Sequence, residues 1–342
     1  MDAKETKEHV LASLYGMACG DALGVPTSFY TPEMIRSKWG WIDTFHPPEK
    51  GHIFHDGLKA GEYTDDTEQS LALIKAFKKS GKVVPADIVI ELLAWADRVK
   101  DKYASPLGPS TERALKAIGA GAPITESGRY GNTNGAAMRI APIGLIHGML
   151  DSSMEACVRD VYQSCIPTHN TTVCVAAASA IAWAIAVALR GEKDLDVVVS
   201  QASRAASEGA RYGYPIASPS ISRRIEWACS IVRSYSSDPK KAMDELYGYF
   251  GGGDLSADSI PTAVALFLLG RGNVRTVDCY CANFGGDCDT NGAMAGAIAG
   301  AYSGMATVPP EWVDEIEAVN KVGMPSYADD LIALSRHWQI AG

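Results

Sequence analysis

Apolar residues recur along most of the chain at the spacing of one helix face. From Thr67 onward Leu71, Leu73, Ile74 and Phe77 keep that spacing, and Gly81 closes the segment after Lys78 and Lys79. Pro85 opens a second segment, in which Ile88, Leu92, Leu93 and Trp95 are apolar among Asp87, Glu91 and Asp97. Residues 111–118 read as a short helix, and 172–189, 197–211, 220–235 and 239–249 as further ones. Gly16, Gly20 and Gly24 lie in another, where glycines spaced by four let a second helix come close. Alternating runs bounded by hairpin signals are almost absent. The pattern predicts an all-α fold in one domain, residues 1–342, carrying long functional loops.

Composition narrows the class. The chain has 342 residues, 47% hydrophobic and 21% charged, the balance of a packed globular protein rather than a disordered one. Forty acidic residues against 31 basic ones give a net charge of -9, which argues against a nucleic-acid partner and suits carboxylates gathered around a metal. Residues 173–189 carry no charge, but they are rich in alanine, which contributes little transfer energy, and Arg190 ends them; they read as a buried helix, not a membrane span. Residues 1–10 are too polar for a secretory signal. Eight cysteines are scattered with no CxxC pair, as expected of reduced, core-filling thiols in a soluble cytoplasmic protein. A zinc site at Cys279, Cys281 and Cys288 is the alternative, without the paired spacing that structural zinc favours.

The polar segments between helices carry the chemistry. Thr64-Asp65-Asp66-Thr67 opens the helix at 67; an N-cap explains one of these residues, and two adjacent carboxylates call for a cation. Gly285-Gly286-Asp287-Cys288-Asp289-Thr290 runs into the small-residue helix at 293–304 in the same way. Two Asp-Thr clusters, each opening a helix, read either as a paired Mg²⁺ or Mn²⁺ site built from carboxylate and hydroxyl oxygens or as ordinary Asp-rich helix starts. In Gly131-Asn132-Thr133-Asn134-Gly135-Ala136-Ala137-Met138-Arg139, small residues can expose backbone N–H groups to a phosphate or sugar hydroxyl, and Arg139 can pair with an anion or an internal carboxylate. Asp21 is either a structural partner or part of the site. His169, ahead of the alanine-rich helix, is either structural or functional. In the aromatic-rich stretch 31–63, His52-x-x-His55-Asp56 either ligates a metal or packs locally.

In order and relative spacing, over residues 11–335, Gly20-Asp21-Ala22-Leu23-Gly24-x-Pro26, Thr64-Asp65-Asp66-Thr67, the Asn134-Gly135 loop, Thr168-His169 and Gly285-Gly286-Asp287-Cys288-Asp289-Thr290 resemble the ADP-ribosylglycohydrolase family. The resemblance implies one all-α domain with two magnesium ions in a cleft. It makes Thr64, Asp65 and Asp66 metal ligands from one side and Asp287, Asp289 and Thr290 from the other. Asp65 or Asp289 would be shared between the ions, and these two would assist attack at the anomeric carbon of a bound ribose. Asn134, Gly135, Ala136, Met138, His169, Gly285 and Gly286 match positions that contact the ADP-ribose part.

One position departs from the family. Ser28 stands where its members usually carry a Glu, and Glu33, Glu62 or Asp21 would have to substitute for that carboxylate. The stretch from Tyr30 to Phe45, with Trp39 and Trp41, is expected to reshape the cleft mouth for another leaving group. The resemblance implies a glycohydrolase of ADP-ribosylated side chains or ADP-ribose derivatives. The alternatives are a hydrolase of a smaller riboside or nucleoside, or a relative that binds ADP-ribose without turning it over.

Overall fold

The structure, a computed structural model of the chain, describes residues 1–100 and 108–341. Among them run seventeen α-helices. The first six are α1 (Ala3–Gly24), α2 (Pro32–Trp39), α3 (Asp65–Ser80), α4 (Pro85–Val99), α5 (Pro109–Gly119) and α6 (Ile124–Ser127). There follow α7 (Ala141–Leu150), α8 (Met154–His169), α9 (Thr172–Leu189), α10 (Leu195–Gly209), α11 (Ile221–Ser234) and α12 (Pro239–Phe250). The last are α13 (Ser256–Leu269), α14 (Val274–Ala282), α15 (Cys288–Ser303), α16 (Pro310–Asn320) and α17 (Met324–Ser335). No strand forms among the described residues; three isolated bridges occur, one joining Tyr30 to Gly286.

Most helices begin as their sequence dictates. Ser153, Thr171, Ser220 and Asn273 each accept a hydrogen bond from the backbone N–H three residues on, the usual way to satisfy a first-turn donor. α9 is long and apolar enough to cross a membrane, yet 89% of it is buried inside the fold, where it serves as a core helix. All eight cysteines are buried and free, and no group of three or more metal-ligating side chains stands ready-made among the described residues, so the Cys279, Cys281 and Cys288 alternative finds no support.

The architecture turns on α1 against α15. A Cβ on Gly16 would run into the carbonyl of Gly296, one on Gly20 into that of Gly292, and one on Gly300 into that of Ala12. The two backbones therefore touch along an antiparallel seam that admits no side chain. Ser13 and His9 add bonds across it, to the carbonyls of Ala297 and Ala301, both at 2.8 Å. At the end of the seam a Cβ on Gly24 would meet the backbone N of Asp289. The C-terminus of α1 and the N-terminus of α15 are thus locked together.

The 31–63 stretch is not a free loop. It contains α2, buries Ile42 and Phe45, and is held by Asn283, which accepts from the Ile42 N–H (2.9 Å) and donates to its carbonyl (2.8 Å). Trp39 lies beside Tyr30 and Trp41 edge-on to Tyr280. Neither lines the cleft, contrary to the expectation that they reshape its mouth.

Candidate active site

The N-termini of α3 and α15 face each other across the end of α1. Neither helix uses its own N-cap side chain. Thr64, the N-cap of α3, and Asp287, the N-cap of α15, make no capping bond. At α3 the cap comes from Asp21 on α1. Its carboxylate accepts from the backbone N–H of Thr64 (3.0 Å) and Thr67 (3.1 Å) and from their hydroxyls (2.9 and 2.7 Å). Asp21 is therefore the structural partner that fixes α3, and it leaves Asp65 and Asp66 unused by the helix start.

Asp66 is fully buried. One carboxylate oxygen accepts from the Thr64 hydroxyl (3.1 Å), and the other, Oδ1, has no partner. Asp65 is only partly covered. Its Oδ2 accepts from Gln69 (2.9 Å), four residues along α3, and Gln69 in turn accepts from the buried guanidinium of Arg139 (2.6 Å). Arg139 also donates to the Thr168 hydroxyl (2.6 Å). It thus reaches the site through an amide, neither directly through a carboxylate nor through an external anion.

Gly285 and Gly286, with φ of +92° and +76°, make the turn into α15, and a Cβ on Gly286 would strike the carbonyls of Gly251 and Gly252. Asp287 accepts from Asn134 Nδ2 (2.6 Å) and from the Thr290 hydroxyl (3.1 Å). Asn134 also donates to Ser259 (3.0 Å). The Ser28 hydroxyl donates to Asp289 Oδ1, and the other oxygen of Asp289 lies 2.8 Å from His55 Nε2. Ser28 is thus a fully buried holder of Asp289, not a gap. Glu33 is exposed and paired with Arg36, so it does not stand in for the missing carboxylate; Glu62 accepts from the Lys59 N–H.

These groups line a cavity of about 340 Å³. Its wall carries Asp65, Asp66, Glu112, Asp254, Asp287 and Asp289, with no Lys or Arg among the described residues. Phe29 and Phe54, ring centroids 4.6 Å apart, form an aromatic side, and Gly135 and Met138 lie on the wall too. Phe29 holds a left-handed backbone (φ +64°), unusual for an aromatic residue.

Burial and neighbouring carboxylates push Asp66 and Asp287 well above the ordinary carboxyl range, and Asp21 and Asp65 up to about 7. Burial would push Asp289 up as well, but His55 and the bonds it receives hold it well below. Four mutually repelling buried carboxylates and an unpartnered Asp66 oxygen fit divalent cations, and the oxygen-rich donor set fits hard ones.

A stability signature follows. A carboxyl whose folded pKa is raised stabilises the fold fully below its unfolded value near 3.8, and that stability is lost as pH rises through about 7. The metal-free protein is expected to melt lower at pH 8 than at pH 5.5, by about 4 °C or more. Added Mg²⁺ or Mn²⁺ should abolish the fall. Differential scanning calorimetry in EDTA and in each metal checks this, and a flat profile in EDTA would contradict it.

Of the other residues singled out in the sequence, Asp287, Asp289, Thr290, Asn134, Gly135 and Met138 reach the cavity wall. Thr64 lies behind it, its hydroxyl turned to Asp21 and Asp66. Ala136, Gly285 and Gly286 shape the backbone without lining it. His169, expected to touch substrate, instead ends α8 and is fully buried, its ring nitrogens against the hydroxyls of Thr133 (3.1 Å) and Thr168 (2.8 Å). A Cβ on Gly135 would come within 2.9 Å of this ring, so His169 backs the wall and burial keeps it neutral. Sequence reasoning missed Gln69, Phe29 and Phe54; only Gln69, one helical turn after Asp65, left a readable signal.

A family model described as ADP-ribosylglycohydrolase matches residues 2–341. The Escherichia coli (strain K12) protein YegU is 36% identical, the match covering 95% of this chain and 96% of that one. The ADP-ribosyl-[dinitrogen reductase] glycohydrolase of Rhodospirillum rubrum is 26% identical over 98% of this chain and 99% of its own. The human ADP-ribosylhydrolase ARH3 is 25% identical over 95% and 91%. A solved structure titled ADP-ribosylglycohydrolase-related protein complex shares the fold, with a TM-score of 0.70 over 97% of this chain and 99% of that one at 23% identity.

Proposed function

The chain belongs to the ADP-ribosylglycohydrolase family and is a hydrolase, and from that premise we propose that it cleaves the glycosidic bond at a ribose anomeric carbon in a divalent-metal-dependent reaction. The substrate class is an ADP-ribosylated side chain or an ADP-ribose derivative. The observation that carries the metal dependence is the crowding of buried Asp66, Asp287 and Asp289 beside the partly covered Asp65, with one Asp66 oxygen left without any partner. Thr64, Asp65 and Asp66 from α3 and Asp287, Asp289 and Thr290 from α15 would hold two Mg²⁺ ions, with Mn²⁺ as the alternative. When bound, such ions supply charge neutralisation and Lewis-acid stabilisation of an oxocarbenium-like transition state.

The chain's own residues divide the remaining work. Asp289 has both oxygens engaged, by Ser28 and His55, which suits it to fixed ligation. Asp65 has one oxygen held by Gln69 and the other toward the cavity, which suits it to take the proton of an attacking water. Asn134 fixes Asp287, and Gly135, lacking a Cβ, lets the His169 ring pack directly behind the wall.

A second reading, a smaller riboside or nucleoside as substrate, is favoured by one feature. The described cavity wall has six carboxylates, no Lys or Arg to meet a diphosphate, and an aromatic pair suited to stack on a planar leaving group. The same acidic wall argues against a nucleic-acid partner, and the eight free cysteines support a reducing, cytoplasmic setting.

One panel tests both readings: ADP-ribosyl-arginine, an ADP-ribosyl-serine peptide, O-acetyl-ADP-ribose and common nucleosides, each with Mg²⁺ and with EDTA. Release of ADP-ribose that chelation stops is the expected result. Release of free ribose from a nucleoside would move the substrate to the second reading. Tight ADP-ribose binding with no product from any member would overturn the catalytic proposal.

A further inference from the structure

Resting on the metal-dependent reading above, we propose that His55 is a nitrogen ligand of the ion that Asp289 holds, and that it biases the site away from Mg²⁺ toward a first-row transition ion such as Mn²⁺. His55 Nε2 lies 2.8 Å from Asp289 Oδ2 on the cavity wall. The residue is nine-tenths buried, yet this nitrogen makes no aligned hydrogen bond to any group. Held here as an ion pair without an aligned hydrogen bond, this nitrogen and oxygen have the spacing of neighbouring ligands on one ion. Bonds of about 2.1 Å at right angles put adjacent donor atoms about 3.0 Å apart.

The surroundings fix that arrangement. Ser28 occupies Asp289 Oδ1 and leaves Oδ2 as the oxygen beside His55. His52 is the pin for the segment. Its Nδ1 accepts from the backbone N–H of Phe54 (3.3 Å) and His55 (3.2 Å), so the ring proton sits on Nε2, which donates to the Ser28 carbonyl (3.1 Å). The two rings stack at 5.1 Å, and only His55 lines the cavity. In His52-x-x-His55, one histidine therefore ties the segment to Ser28 and the other presents its nitrogen to the site. An imidazole donor suits transition ions, whereas Mg²⁺ prefers oxygen and water in a near-ideal octahedron.

The test uses the whole, metal-stripped protein titrated with Mn²⁺ alone and with Mg²⁺ alone. Pulsed EPR of the bound Mn²⁺ should show the modulation of one imidazole ¹⁴N in the unaltered protein. In His55→Gln the modulation should vanish, with Mn²⁺ affinity falling about tenfold or more and Mg²⁺ affinity less than about threefold. If that variant does not fold, ¹⁵N-histidine labelling of the unaltered protein reads the same bond, since His55 is the imidazole on the described cavity wall. Bound Mn²⁺ without nitrogen modulation, or modulation that survives in a folded His55→Gln, would overturn the assignment and leave the proposed reaction standing. Failure to bind either ion would remove both.

Discussion

Asp66→Asn is expected to lower turnover by at least about 100-fold and to lower the number of bound ions, while leaving the metal-free protein as stable as before or more so. The two halves have one cause. Asp66 is buried beside Asp21, Asp65, Asp287 and Asp289, one of its oxygens lacks any partner, and its carboxyl is raised well above its ordinary range. Such a group is held for what it binds, because the fold alone gains nothing from it. The amide keeps the shape and the bond with Thr64 and removes the repulsion. Titration calorimetry with Mg²⁺ reads the lost ion, and thermal melts in EDTA at pH 8 read the stability. An Asn variant that melts well below the unaltered protein in EDTA would mean that Asp66 is a structural acid.

Gly20→Ala is expected to cost about 3 kcal/mol or more, against a change within about 1 kcal/mol for Gly119→Ala. Both glycines are helical, so propensity alone favours alanine at each. At Gly20 the added Cβ would sit against the backbone of Gly292, which cannot give way by changing rotamer; at Gly119 it meets nothing within 4 Å. The seam would have to open, and Gly24 and Asp289 lie at its end. The variant should therefore lose metal affinity as well as stability. Urea unfolding of both variants measures the difference. Equal stabilities would show that α1 and α15 are not in backbone contact.

The helical architecture was legible because it rests on local signals: apolar spacing, Gly81 after α3, and Pro85 and Pro239 at helix starts. The acidic clusters of the cavity wall were legible because two carboxylates exceed what a cap can use. That excess is real at both sites, where the side-chain cap comes from another segment: Asp21 at α3, and Ser28, which accepts from the Asp289 N–H (3.2 Å), at α15. Asp21 itself stayed ambiguous, since its partners lie 43 and 46 residues away, and no local pattern reports such a pairing. His169 misled for the opposite reason: it follows Thr168 as the resemblance requires, yet it ends α8 behind Gly135, a placement set by packing between distant segments. Ser28 read as a loss until Asp289 was seen to hang from it. α2, α6, α7, α8, α13, α14, α16 and α17 went unrecognised; in α13 apolar residues run unbroken from Ala263 to Leu269, so no single face stands out in the sequence.

The glycine seam also bears on how such a protein changes its substrate. The carboxylates of α15 are held in place by contact between peptide backbones, where nearly every substitution is excluded, and those of α3 are fixed to the same body by Asp21. The cavity walls come instead from turns that carry Phe29, Phe54 and Gly135. Inheritance can therefore rewrite the walls one residue at a time while the carboxylates stay fixed, so new specificities should arise among relatives by loop replacement, with the helical frame passed on unaltered.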